Sequence, residues 1–281
     1  MITGLDHVVV LLDDVTAGAV AYELLLGRAP SWRSASDGTE RVLFTLDNMT
    51  LELMAPSGLG STAERIRTVI KIWGEGLASI CFATDDIAKL HRRLDRLALK
   101  PEPVTEVEST DAASGATLRW KRTRAATELT RGVRMFFLDL ATARPPSAVT
   151  APAAVLGLDH MVISTENPEH AAALYGARLG LDMALDRTHQ EWGQLMFFRC
   201  GDLIVEVVRR PVAGSDQAHD KLWGLSWRVA DIDATRQRLV AAGVEMTEVR
   251  IGRKPGTRVM SPRSGTCGIH TLFLERTAKA A

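Results

Sequence analysis

Gly4-Leu5-Asp6-His7-Val8-Val9, near the start of the chain, returns 153 residues later as Gly157-Leu158-Asp159-His160-Met161-Val162. The same offset carries Tyr22 onto Tyr175 and Gly27 onto Gly180, and these are the only two tyrosines in the sequence. One residue of slip then sets Leu51-Glu52-Leu53 against Val205-Glu206-Val207. Spacing kept over such a distance marks a duplication, so each half can be read against the other.

Working outward, residues 6–12 are apolar and β-branched enough for a buried strand, and 15–26 carry apolar residues at helical spacing up to Gly27. Residues 41–46 and 49–54 read as strands around a tight Asp47-Asn48 turn. The pattern restarts at Leu77, with a strand over 79–84, an amphipathic helix over 86–99 and a last strand at 134–138. The second half repeats it, with a strand at 225–229, a helix over 232–242 stopped by Gly243, and 268–275 aligned with 132–139. This predicts an α+β fold of four βαβββ modules. One module alone exposes an apolar sheet face, so modules must pair, giving two tandem incomplete β-barrels that each enclose a cavity. Residues 141–155, rich in Pro, Ala and Thr, read as the linker between a first domain at 1–140 and a second at 156–277. Residues 57–73 read as a helix over the junction of the first two modules, with no chemistry assigned to it.

A length of 281 residues suits two domains, and 46% hydrophobic with 24% charged residues is ordinary globular composition. Lys plus Arg and Asp plus Glu both total 34, so no global field favours nucleic acid or an anionic membrane. A small-molecule ligand fits better. The start of the chain lacks a cationic stretch followed by an apolar core, and no apolar run approaches the roughly 20 residues of a membrane span, so a cytoplasmic protein is expected. Cys81, Cys200 and Cys267 are odd in number and lack a C-x-x-C pair, which argues against a disulfide framework and a structural zinc site. The sequence contains no Gly-rich phosphate loop, no Gly-x-Ser-x-Gly elbow and no His-Glu-x-x-His helix.

The Gly-Leu-Asp-His openings, the two strands around Glu52 and Glu206, and the strand-to-helix turns Phe82-Ala83-Thr84-Asp85-Asp86-Ile87 and Trp227-Arg228-Val229-Ala230-Asp231-Ile232 together resemble the vicinal oxygen chelate superfamily. That superfamily includes glyoxalases, bleomycin and fosfomycin resistance proteins and extradiol dioxygenases. The resemblance covers nearly the whole chain, and its wording is more similar to bacterial glyoxalase-like domain proteins.

The resemblance implies a divalent metal in the cavity, held from the first and last strands of paired modules. In the second half it places His160 and Glu206 as ligands, while the third position falls on Gly224 and the fourth near Leu272. His270, two residues earlier on the same face, completes a two-His, one-carboxylate set suited to iron, manganese, nickel or zinc. In the first half His7 and Glu52 occupy the matching places, with Ser79 third and Phe136 near the fourth. Arg134 stands where His270 stands. A permanent guanidinium cation opposes a metal, so no metal is expected there, and Arg134 either pairs with Glu52 or holds a ligand carboxylate.

His7, Glu52 and Arg134 are therefore substrate-binding candidates. Trp120, Trp192, Trp223 and Trp227 read first as core or interface residues, with Trp227 a candidate pocket wall. The cationic loop at 252–258 is either a solvated turn or a flap that offers Arg258 to an anionic substrate. Two functions follow. One is a metal-dependent lyase, isomerase or dioxygenase acting on a small oxygen-rich molecule in the second barrel, with metal polarisation of a carbonyl and Glu206 as ligand or base. The other is a non-catalytic binding or sequestering protein with degenerate metal sites. Fold cannot arbitrate between them, and a homodimer is compatible with both.

Overall fold

In the computed structural model, which describes residues 1–190, 193–209 and 219–276, the duplication is visible as two sheets of the same plan. Trp192 and the expected domain end at 277 lie outside the described residues. The first sheet contains β1 (Ile2–Leu11), β2 (Trp32–Ser36), β3 (Thr39–Thr45), β4 (Thr50–Pro56), β5 (Gly76–Thr84), β6 (Thr105–Thr110), β7 (Thr117–Arg124) and β8 (Arg134–Leu140). They are ordered β2-β3-β4-β1-β5-β8-β7-β6. The second contains β9 (Gly157–Ser164), β10 (Asp182–His189), β11 (Gly193–Cys200), β12 (Leu203–Arg209), β13 (Lys221–Val229), β14 (Arg250–Ile251), β15 (Thr257–Met260) and β16 (His270–Arg276). Their order, β10-β11-β12-β9-β13-β16-β15-β14, repeats the first. In each sheet the opening strands of the two modules pair antiparallel, β1 with β5 and β9 with β13. Each also pairs parallel with its own module's last strand, as β1 does with β4 and β5 with β8.

The helices are α1 (Val15–Leu26), α2 (Ser61–Trp73), α3 (Ile87–Arg96), α4 (Pro168–Ala171), which runs on as a π-helical stretch at Ala172–Arg178, and α5 (Ile232–Ala241). Asp14 caps α1 by accepting from the Thr16 and Ala17 amides, and Gly27 ends it in the left-handed region at φ 66°. Asp86 and Asp231 cap α3 and α5 in the same way. The expected helix over 86–99 stops at Arg96 because Ala98 and Lys100 turn left-handed, which returns the fully buried Leu99 to the core. Among the described residues no helix is long and apolar enough to cross a membrane.

Strand alternation divides the core. Val8, Val10, Leu51, Leu53, Ile80 and Phe82 face α1 and α3, in one buried cluster that continues through Met161, Ile163, Val205, Leu225, Trp227 and Phe273 of the second half. Burying each such large apolar side chain stabilises the fold by about 1.5–3 kcal/mol. On the opposite face of the first sheet, Val9, Leu11, Cys81 and Leu138 pack with Ile66 of α2. The edges of this sheet are tied together: Trp32 Nε1 of β2 donates to Ser109 Oγ of β6 at 2.9 Å, and the Ala112 amide donates to the Arg33 carbonyl at 2.8 Å. The first sheet is thus nearly a barrel. In the second, the edge strands are β10, exposed along almost its whole length, and the two-residue β14.

Arginines and one asparagine join the halves. Arg238 of α5 donates to the Leu24 and Leu25 carbonyls at the end of α1, and Arg178 donates to those of Leu97 and Ala98 just past α3. These are carbonyls that helix ends leave without a partner. Asn48, at the β3–β4 turn, donates to the Leu158 carbonyl at 2.8 Å and accepts from its amide at 2.9 Å. Gly157 permits this approach, since a Cβ there would lie 2.5 Å from the Asn48 carboxamide oxygen. The 141–155 segment has little regular structure, yet Arg28 donates to its Val155 and Ser147 carbonyls at 2.7 and 3.2 Å.

Candidate functional site

The concave face of the first sheet, roofed by α2, encloses a cavity of about 250 Å³. Alternation points His7 of β1, Glu52 of β4, Cys81 of β5 and Arg134 with Phe136 of β8 into it. At its polar end four side chains form a line. Arg144 holds Asp6 through two contacts of 2.7 and 2.9 Å, Asp6 Oδ1 lies 2.5 Å from His7 Nδ1, and His7 Nε2 lies 3.2 Å from Glu52 Oε2. Arg41 approaches the other oxygen of Glu52 at 3.7 Å.

Burial opposes charge on His7, but the carboxylates of Asp6 and Glu52, one at each ring nitrogen, outweigh it and hold the imidazole protonated well above its usual range. Burial itself keeps the Cys81 thiol protonated. Glu52 is likewise penalised by burial, yet His7, Arg41 and Arg144 bring its carboxyl down to about 2. The pole is a buried, alternating row of charges, each with an opposite neighbour.

The second half builds the same row from its own residues. Arg276 holds Asp159 through contacts of 2.5 and 2.9 Å, Asp159 Oδ1 lies 3.0 Å from His160 Nδ1, and His160 Nε2 lies 3.4 Å from Glu206 Oε2. Strand register makes Ser226 the counterpart of Cys81. Its hydroxyl lies 2.7 Å from His160 Nε2.

Neither set of residues suits a divalent metal, for which three or four protein ligands are the rule. In the first half His7 has a carboxylate at each nitrogen, and two guanidiniums stand beside Glu52. In the second, His160 and Glu206 supply two donors and the third position is Gly224. A Cβ there would lie 2.7 Å from the His270 carbonyl, so the strand packing itself excludes a side chain. His270 does not complete the set: its ring stacks on Trp223, with centroids 4.1 Å apart. Among the described residues no three His, Cys, Asp or Glu side chains gather as a metal group.

Other expected site residues also fall elsewhere. Trp227 is fully buried among the helix-facing core residues, where it packs the core, and it is not among the residues lining the first cavity. Arg258 spans both oxygens of Asp233, in the first turn of α5, at 2.7 and 2.8 Å and comes within 3.6 Å of Glu275. It is occupied at the start of α5. Arg134 lines the cavity but is not paired with Glu52, whose partners are His7 and Arg41. Trp120 does line the cavity. Sequence reasoning missed Arg144, which lies inside the supposed passive linker. The helix expected over 57–73 is present as α2, but its part in the site was missed: Thr62, Arg65 and Ile66 form part of the cavity wall.

The sequence pattern of the glyoxalase-like domain matches residues 5–180, well over half of the chain. The chain belongs to the glyoxalase-like domain family. The pattern of the glyoxalase, bleomycin resistance protein and dioxygenase superfamily matches residues 159–260. A comparison with curated proteins yields no match. Among solved structures, a 4-hydroxymandelate synthase mutant from Streptomyces coelicolor is similar at 13% identity and a TM-score of 0.71, covering 100% of this chain and 95% of that one. A Mn(II)-bound glyoxalase from Novosphingobium aromaticivorans is similar at 13% identity and a TM-score of 0.66, covering 99% of this chain and 83% of that one. At such identities these two share the fold with this family member, and the likeness ends there.

Proposed function

We propose that this glyoxalase-like protein binds a small oxygen-rich organic molecule in the cavity of its first barrel and holds it without converting it. The observation that carries the reading is the saturated pole of that cavity. A general base works best with a pKa near the working pH, whereas Glu52 is held at about 2. His7 is the mirror case, an imidazolium engaged by a carboxylate on each side. Such groups orient and hydrogen-bond a ligand well and exchange protons with it poorly.

The expectation of a metal-dependent lyase, isomerase or dioxygenase in the second barrel has His160 and Glu206 in its favour and finds no third ligand among the described residues. The two-donor set there supports no step through a metal. Equilibrium dialysis of the purified chain against a library of small organic acids, ketones and diols, followed by mass spectrometry of what is retained, tests the proposal. Retained compounds are expected back chemically unchanged after long incubation. Turnover of any retained compound, or retention that survives His7→Gln and Glu52→Gln together, contradicts it.

A further inference from the structure

We infer that the ligand of the first cavity is a small organic polyanion, its acid groups gripped by Arg65, Arg122 and Arg134. This rests on the reading of that cavity as the binding site and names the chemical class of its occupant. Six guanidiniums line the cavity, and its lining carboxylates are Glu52 and Glu102. Arg144 is committed to Asp6, Arg41 faces Glu52, and Arg124 is paired with Glu102. The remaining three come from different elements, Arg65 from α2, Arg122 from β7 and Arg134 from β8.

None of these three forms a close ion pair with a carboxylate among the described residues, and Glu52 and Glu102 act on Arg122 only from farther away. Arg65 donates to Thr62 Oγ1 at 3.1 Å, and Arg122 lies over the Phe136 ring at 5.7 Å. Arg65 stands at the exposed rim, Arg122 starts from the same rim but lays its guanidinium partly inward over Phe136, and Arg134 is partly buried within. Burial, and after it the charges of Arg124 and Arg65, hold Arg134 below its usual pKa, as burial and then Arg41 do for Arg122. Like charges crowded around one mouth repel each other. In a chain of zero net charge this excess is local, and a bound anion relieves it.

Guanidiniums present forks of donors that match carboxylate and phosphate oxygens two at a time. Leu43, Leu118 and Trp120 supply an apolar wall beside them for the carbon body of the ligand. Carboxylate and phosphate share this chemistry, and the test separates them.

Isothermal titration of the full chain at pH 8 with malonate, with inorganic phosphate and with neutral malonamide reads the class directly. One-site binding is expected for at least one of the two dianions and none for malonamide, and the dianion that binds more tightly identifies the acid group. Added sodium chloride should weaken it. Arg122→Gln and Arg134→Gln should each lower affinity at least tenfold while the thermal midpoint stays near wild type. Arg119→Gln, on the same strand as Arg122 and paired on the surface with Glu108, should bind as wild type does. Dianion binding unchanged in both cavity variants overturns the assignment. If neither dianion binds while neutral compounds are still retained in the dialysis experiment, the anion class alone falls. If nothing is retained at all, the binding reading beneath it falls too.

Discussion

Each half opens on an aspartate beside a histidine, and in each the aspartate is fixed by an arginine from a distant point of the chain, Arg144 or Arg276. The row that follows has a consequence for acid stability. Glu52 stays ionised in the folded state down to about 2, against an ordinary 4.5, so the unfolded chain binds the extra proton between those values. Its contribution, about 3 kcal/mol, is present above pH 4.5 and lost as pH falls towards 2. His7 has the opposite sign: its raised pKa contributes stability below its ordinary 6.5 that is lost as pH rises through the folded value. Urea denaturation from pH 2 to 8 should show Glu52→Gln less stable than wild type at pH 7 and less sensitive to acid. An unchanged acid limb would contradict the pairing. His7 and Glu52 were legible because the duplication repeats them, whereas Arg144 was not. It sits among Ala, Thr and Pro with no periodicity, and only the path of the chain back over the first sheet brings it to Asp6.

At the scale of elements, α2 closes the cavity of the first half. The Thr62 amide and the Ser61 hydroxyl donate to Asp37 at 2.9 and 3.2 Å, which pins the start of α2 to the β2–β3 turn. Ile66 then packs onto Val9, Leu11, Cys81 and Leu138. Ile66→Ala should cost about 2–4 kcal/mol in chemical denaturation and raise hydrogen exchange in α2. Exchange unchanged in α2 would mean that the helix is held by something other than this contact. The helix itself was read over 57–73 and set over the module junction, but a sequence does not say which sheet face buries a helix. The same limit explains Trp227, which looked like a pocket wall until strand parity set it with Leu225 and Val229 towards the helices. His270 was placed by parity too, and its stacking on Trp223 depends on a register shift in β13 between Leu222 and Gly224 that no pattern announces.

Across the whole molecule, the repeated strand order was legible because duplication, turn residues and helix caps all agree, which is what specifies a fold. The function was less so, since it depends on which side chains meet in each cavity. The halves share one continuous core, and Arg28, Asn48, Arg178 and Arg238 bridge them. Calorimetry should therefore give a single transition with equal van't Hoff and calorimetric enthalpies. Two resolved transitions would mean that the bridging contacts are too weak to couple the halves. The proposed role as a binder requires that both family metal positions be degenerate. Its most direct test is elemental analysis of untagged protein after equilibration with manganese, iron, nickel and zinc salts and removal of the excess. Metal well below one equivalent per chain is the predicted result. One firmly held equivalent, lost in His160→Ala, would contradict it.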